Sequence, residues 1–132
     1  MKKDKVHSIL LIDDSSMDNF INKKIIEHCG FVGEVVVKNS APSALEYLQQ
    51  LSLAKLPEYI FLDINMPAYD GFDFLNEYEK LSESIKSACS IVVLTNSDKQ
   101  EDISKMGQYD LVKKYMIKPL TVENLLSSLE LK

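Results

Sequence analysis

The 132 residues suffice for one ordinary domain with one core, and 45% hydrophobic with 27% charged residues excludes a disordered chain. A net charge of −5 argues against a nucleic-acid-binding surface, which needs a basic face to neutralise phosphates. No apolar run approaches the roughly 20 residues of a membrane span, and no signal peptide follows the basic start. Cys29 and Cys89 lack C-x-x-C spacing and read as buried reduced thiols, so a cytoplasmic location is expected.

The first apolar run, SILLI at 8–12, reads as a strand and ends on two adjacent carboxylates, Asp13 and Asp14. Ser15 and Ser16 follow as caps for a helix expected from Ser16 to Cys29, with Phe20, Ile21, Ile25 and Cys29 at helical spacing and Gly30 as its stop. A second strand is expected at EVVVK, 34–38. The helix after it runs from Ser40 to about Ala54, with an N-cap serine, an early proline and Leu45, Leu48 and Leu51 as apolar positions.

The third strand, YIFLD at 59–63, ends in Asp63 and leads through INMP to a helix at Phe72–Leu81. The fourth, SIVVLT at 90–95, ends in Thr95 and Asn96, before a helix at about Lys99–Gly107. The fifth, KYMIK at 114–118, ends in Lys118-Pro119. The last helix is expected from Thr121 to Leu131, with Thr121 as N-cap and Glu123 placed to suit the helix dipole.

A strand–helix unit repeated five times predicts an α/β domain, with right-handed crossovers laying helices on both faces of a parallel sheet. Strands that are apolar without alternation suit a sheet covered on both sides. In such folds ligands sit beyond the carboxyl ends of the strands. There the sequence puts Asp13, Asp14, Asp63, Thr95 and Lys118. Taken singly, an Asp or Thr at a strand end is a turn former or cap, and a lysine is a solvated charge. Taken together, all lie on one rim.

Two carboxylates about 4 Å apart repel by about 4 kcal/mol at an effective dielectric of about 20. Three together must protonate, spread apart or bind a cation. Hard oxygen ligands with room for water suit Mg²⁺. A divalent ion beside an aspartate, a hydroxyl and a lysine is the equipment of phosphoryl transfer, with one Asp as nucleophile giving an acyl phosphate.

The Asp13–Asp14 pair, LDINMPAYDG around Asp63, LTN at Thr95 and YMIKPL at Lys118 resemble, in order and over nearly the whole chain, the receiver domain of two-component response regulators. The resemblance implies a flavodoxin-like (βα)5 three-layer sandwich whose parallel five-stranded sheet has the order 2-1-3-4-5. It implies one receiver domain over 1–132, with a core of about 7–131, and a stand-alone chain without an output domain. Asp63 would be the phosphoacceptor. Asp14 and Asp63 would ligate Mg²⁺ directly, Asn65 through its backbone carbonyl and Asp13 through water. Thr95 would bond the phosphoryl group and Lys118 would neutralise it. Gly71 would serve the turn after Met66-Pro67.

On phosphorylation Thr95 would move toward the new oxygens and Tyr115, at the aromatic switch position, would turn inward and alter the surface of the last two strand–helix units. The implied partners are a histidine kinase or histidine phosphotransfer protein and an unnamed downstream protein, with no nucleic acid and no membrane; the chain would be a monomer or weak dimer.

Two departures from the family pattern stand out. Asn96 follows the threonine where Ala or Gly is usual, and its amide is expected to slow phosphoryl exchange. KMGQYDLVKKY is bulkier than the usual approach to the fifth strand.

The alternatives belong to other classes. A Mg²⁺-dependent phosphohydrolase with an aspartyl nucleophile would carry Asp-x-Asp after the first strand, where Ser15 stands instead. A flavin mononucleotide binder needs a hydroxyl- or glycine-rich phosphate loop there, for which two carboxylates have the wrong sign. A receiver-like docking module that is never phosphorylated would have no use for the full set of acids, threonine and lysine.

Overall fold

Apolar runs with no polar face need cover on both sides, and the computed structural model, which describes residues 8–31 and 33–129, supplies it. Strands β1 (Ser8–Ile12), β2 (Glu34–Lys38), β3 (Tyr59–Leu62), β4 (Ser90–Thr95) and β5 (Val112–Ile117) form one sheet in the order β2-β1-β3-β4-β5. Every pairing is parallel. The fold is thus the flavodoxin-like (βα)5 sandwich, in the strand order expected.

Strand alternation divides the core in two. Leu10 and Ile12 of β1, Ile60 and Leu62 of β3, and Ile91 and Val93 of β4 share one cluster with α2 (Ala41–Gln50), α3 (Gly71–Tyr78) and α5 (Gln100–Met106). Ile9 and Leu11, Tyr59 and Phe61, and Val92 and Leu94 share the other with α1 (Ser16–His28) and α6 (Val122–Leu129). The three central strands are buried almost throughout, whereas β2 and β5 at the edges are partly exposed.

Several boundaries differ from the sequence reading. β3 stops at Leu62, although the Asp63 N–H still donates to the Ile12 carbonyl at 3.0 Å. β5 starts at Val112 rather than Lys114, because an irregularity in the ladder pairs Val112 with Ile91 and Lys114 with Val92, leaving Lys113 without an opposite number. α2 ends at Gln50, where Leu51 turns extended, and Leu53–Lys55 form a 3₁₀ turn instead of further helix. A short helix that the sequence reading lacks, α4 (Glu83–Ala88), is capped by Ser82, whose hydroxyl accepts from the Ile85 N–H. The expected ends of the last helix at Leu131 and of the core at 7 and 131 lie outside the described residues.

The largest correction concerns α1. Phe20 and Ile21 are exposed, while Asn19, Asn22 and Ile26 are turned inward and Ile25 and Cys29, as expected, pack against the core. A polar contact sets this phase: the Asn19 Nδ2 donates to the Asp13 carbonyl at 2.8 Å, anchoring the helix to the end of β1. Met17, Phe20 and Ile21 are left as an apolar outer face.

After β3 the chain makes a tight loop back into α3. Ala68 stands at φ 67°, and the Gly71 N–H donates to the Ile64 carbonyl at 2.8 Å. α3 opens with a capping box, in which Asp70 and Asp73 each accept from the other's backbone N–H. Gly71 is needed here because the backbone passes so close: a Cβ on it would lie 2.8 Å from the Ile64 Cα and 2.9 Å from the Asp63 carbonyl oxygen. Neither neighbour is a flexible side chain that could step aside. Gly71→Ala is therefore expected to destabilise the protein by about 1–3 kcal/mol, read by chemical denaturation, and to weaken metal binding by displacing Asp63. Wild-type stability would show that the loop yields.

Candidate functional site

The parallel sheet delivers the strand-end residues to one rim. The Asp13 N–H extends the ladder by donating to the Lys38 carbonyl at 3.2 Å, and the Lys118 N–H donates to the Thr95 carbonyl at 2.8 Å. These bonds fix the two chain ends that carry the charged side chains.

Carboxylate oxygens of Asp13, Asp14 and Asp63 all lie within 4.8 Å of one another. Asp13 and Asp63 are buried and Asp14 is exposed. The Asp13 Oδ1 accepts from the Ser15 N–H at 3.0 Å, and the Asp63 Oδ1 accepts from the Asn65 N–H at 3.3 Å. Such a donor set, all hard oxygen with one member open to water, fits a divalent cation of the magnesium type, and no thiol or imidazole intrudes on the cluster.

Lys118 reaches into this cluster from the end of β5. Its Nζ is 2.6 Å from Asp13 Oδ2, 2.6 Å from Asp18 Oδ2 and 3.5 Å from Asp63 Oδ2. Burial alone would push the ammonium down; the hydrogen bonds to Asp13 and Asp18 and the charge of Asp63 outweigh it and hold Lys118 up at about 12. The lysine is therefore a fixed cation at any physiological pH. Asp13 also moves upward, although it pairs with Lys118. Burial is the main cause and the like charge of Asp63 adds to it, outweighing the hydrogen bonds from Lys118 and Ser15. One ammonium does not neutralise so many buried acids, and the excess negative charge is what a metal ion would relieve.

Thr95 is fully buried at the end of β4, and its Oγ1 lies 3.4 Å from the Ser97 N–H. Asn96 is exposed beside it. Tyr115 on β5 is half-buried, and its hydroxyl donates to the Ser97 carbonyl at 2.9 Å. The aromatic side chain thus bonds the loop that follows Thr95.

Sequence reasoning did not find Asp18 or Asn19. Ser15 does cap α1, its hydroxyl accepting from the Asp18 N–H at 3.1 Å. The S-x-x-D spacing of Ser15 and Asp18 was the available signal, since an acid at the third helical position ordinarily returns a bond to the cap. Here the Ser15 N–H goes to Asp13 instead, which frees the Asp18 carboxylate to reach Lys118.

Asp14 is the one exposed member of the trio of carboxylates that could hold a metal ion, so removing its charge relieves repulsion without stranding a buried partner. Asp14→Asn is expected to raise the melting temperature of the metal-free protein by about 2–4 °C and to weaken Mg²⁺ binding about tenfold or more. Thermal scans with chelator and titration calorimetry with Mg²⁺ measure the two effects, and a lower melting temperature would contradict the repulsion argument.

Comparison with known proteins agrees with this geometry. A family model described as "Response regulator receiver domain" matches residues 9–130. The chain is 31% identical over 124 residues to a probable methanogenesis regulatory protein, FilR2, of Methanothrix harundinacea, covering 92% of this chain and 78% of that protein. A crystal structure of a two-component response regulator from Cytophaga hutchinsonii superposes with a TM-score of 0.86 at 31% identity, over 93% of each chain. The Mn²⁺-bound form of the response regulator Rcp1, a Synechocystis protein, superposes with a TM-score of 0.72 at 25% identity, over 94% of this chain and 89% of that one. No helix among the described residues is long and apolar enough to cross a membrane.

Proposed function

This chain belongs to the response regulator receiver domain family, and from that premise we propose that it accepts a phosphoryl group on Asp63 from a phosphohistidine donor, with Mg²⁺ bound by the acid cluster. The family is a signalling receiver rather than a turnover enzyme, and its members bind divalent metal and are phosphorylated by histidine kinases. The observation that carries the reading here is the convergence of Asp63 with the carboxylates of Asp13 and Asp14, all within 4.8 Å, and with the Lys118 ammonium at 3.5 Å, on one rim.

Mg²⁺ would be held by the carboxylates of Asp14 and Asp63 and the backbone carbonyl of Asn65, with Asp13 acting through water. When bound it supplies charge neutralisation for the phosphoryl oxygens. In the reaction an Asp63 carboxylate oxygen forms a bond to phosphorus as the phosphorus–nitrogen bond of the donor breaks. The electron pair stays on the donor imidazole, which takes up a proton. Lys118 neutralises the growing charge, and Thr95 donates its hydroxyl proton to a phosphoryl oxygen.

Charge added at this rim would draw Thr95 and pull on the loop that carries Ser97. The Tyr115 hydroxyl bonds that same loop, so the state of Asp63 is conveyed to the face of α5, β5 and α6. The apolar outer face of α1, with Met17, Phe20 and Ile21, belongs to the helix that directly follows the acid pair and would be a suitable seat for the histidine-bearing protein. The protein would then work in the cytoplasm as a monomer or weak dimer, acting on a downstream protein through its altered surface.

Incubation with a small acyl phosphate and Mg²⁺ is expected to add one phosphoryl group to the intact mass of the wild type and none to Asp63→Asn. An unchanged wild-type mass, together with no spectral response to BeF₃⁻, would overturn the reading, and steady turnover of phosphate esters would replace it with the phosphohydrolase.

Asn96 is exposed directly after Thr95, and its amide would crowd the approach to Asp63. Asn96→Ala is expected to speed both phosphorylation and hydrolysis about two- to fivefold, followed by the decay of labelled protein; rates at or below wild type would remove Asn96 from the account.

A further inference from the structure

Lys118 is the cation that must meet the incoming phosphoryl group, yet with the acceptor it makes only a longer ion pair and no hydrogen bond. Two of its N–H groups are engaged at 2.6 Å, by Asp13 and Asp18, while Asp63 stands off at 3.5 Å. We propose that Asp18 is a positioning residue that holds the Lys118 ammonium off Asp63 and yields it when a phosphoryl group arrives. This inference rests on the phosphoacceptor reading above.

Burial decides which of the two partners gives way. The Asp13 side chain is 6% exposed and the Asp18 side chain 31%. Releasing Asp13 would strand a buried carboxylate without its counter-ion, whereas Asp18 can take up water as the lysine leaves. Asp18 is also mechanically free to do this. It sits in the first turn of α1 and contributes its backbone N–H to the Ser15 cap. Its side chain plays no part in that cap, because the Ser15 N–H is occupied by Asp13. Losing the lysine therefore costs the helix none of its capping bonds.

The acceptor can outcompete Asp18 only after modification. An unmodified Asp63 offers the ammonium a carboxylate no more attractive than Asp18. Phosphorylated, it offers additional charge and three strong acceptor oxygens. Lys118 then transfers from Asp18 to the phosphoryl group by a shift of about an ångström, the difference between its present distances of 2.6 Å and 3.5 Å to the two acids. Asp18 thus opposes phosphoryl binding and, by adding negative charge beside the metal ligands, favours the divalent cation.

These opposite signs separate a positioning role from a structural one. A residue that merely braces the site weakens both ligands when removed. Asp18→Asn, in the full chain, is expected to bind BeF₃⁻ at saturating Mg²⁺ about three- to tenfold more tightly than wild type, by fluorine NMR. Its Mg²⁺ affinity, by calorimetry, is expected to fall. Asp18→Glu, which keeps the charge, is expected to return BeF₃⁻ affinity toward wild type, and Asp18→Ala substitutes for the asparagine variant should that one fold poorly. Unchanged or weaker BeF₃⁻ binding by the neutral variant while wild type binds normally would overturn the proposal and leave the phosphoacceptor reading standing. Absence of BeF₃⁻ binding by wild type would overturn both.

Discussion

The interaction on which the rim depends is the Lys118 ammonium surrounded by carboxylates. Asp13 follows β1 and Asp63 follows the central strand β3, Lys118 follows the edge strand β5 and Asp18 comes from a helix, so one cation ties together three strand ends and a helix. Burial by itself would weaken this lysine's hold on its proton; the anions around it more than restore it. The arrangement is nevertheless out of balance, with more acid than base. That imbalance is a store of electrostatic tension which a divalent ion or a relocated lysine can discharge, and it makes the rim responsive in a way that a neutral, fully paired network would not be.

How much of this was legible beforehand depended on whether the signal was local. The central strands could be read directly: SILLI, YIFLD and SIVVLT are apolar on both faces because both faces are covered. The acids, the threonine and the lysine could be read because parallel topology brings every strand's carboxyl end to one side. Edges were harder. β5 mixes lysines with apolar residues and contains a ladder irregularity, so its first two residues did not look like strand. The fourth helix is a six-residue segment with little apolar periodicity, and its one clear signal was the serine cap.

The inward face of α1 was read correctly at Ile25 and Cys29 and wrongly at Phe20 and Ile21, for a physical reason. Hydrophobic periodicity assumes that apolar residues choose the buried face. In α1 an amide–carbonyl bond, Asn19 to Asp13, turns the helix, so Asn22 follows Asn19 inward and Phe20 and Ile21 are displaced to the outside. Nothing in the spacing of the apolar residues announces that a polar contact will win. Asp18 was hidden for a related reason: its role depends on a competitor, Asp13, taking the backbone proton that an N-terminal acid would normally accept. Gly71 was read as a turn residue and proves to be a point of backbone contact, a distinction that only coordinates can draw.

The irregularity in β5 has a bearing on how this domain meets other chains. An open sheet presents two unpaired edges, and a regular one invites a foreign strand to add on. On β5 the extra residue is Lys113, flanked by Lys114, and the ladder steps out of register where they sit. A visiting strand would face a broken row of hydrogen-bonding groups guarded by two ammonium ions. That flank therefore favours contacts made through side chains over main-chain pairing, which is indifferent to sequence.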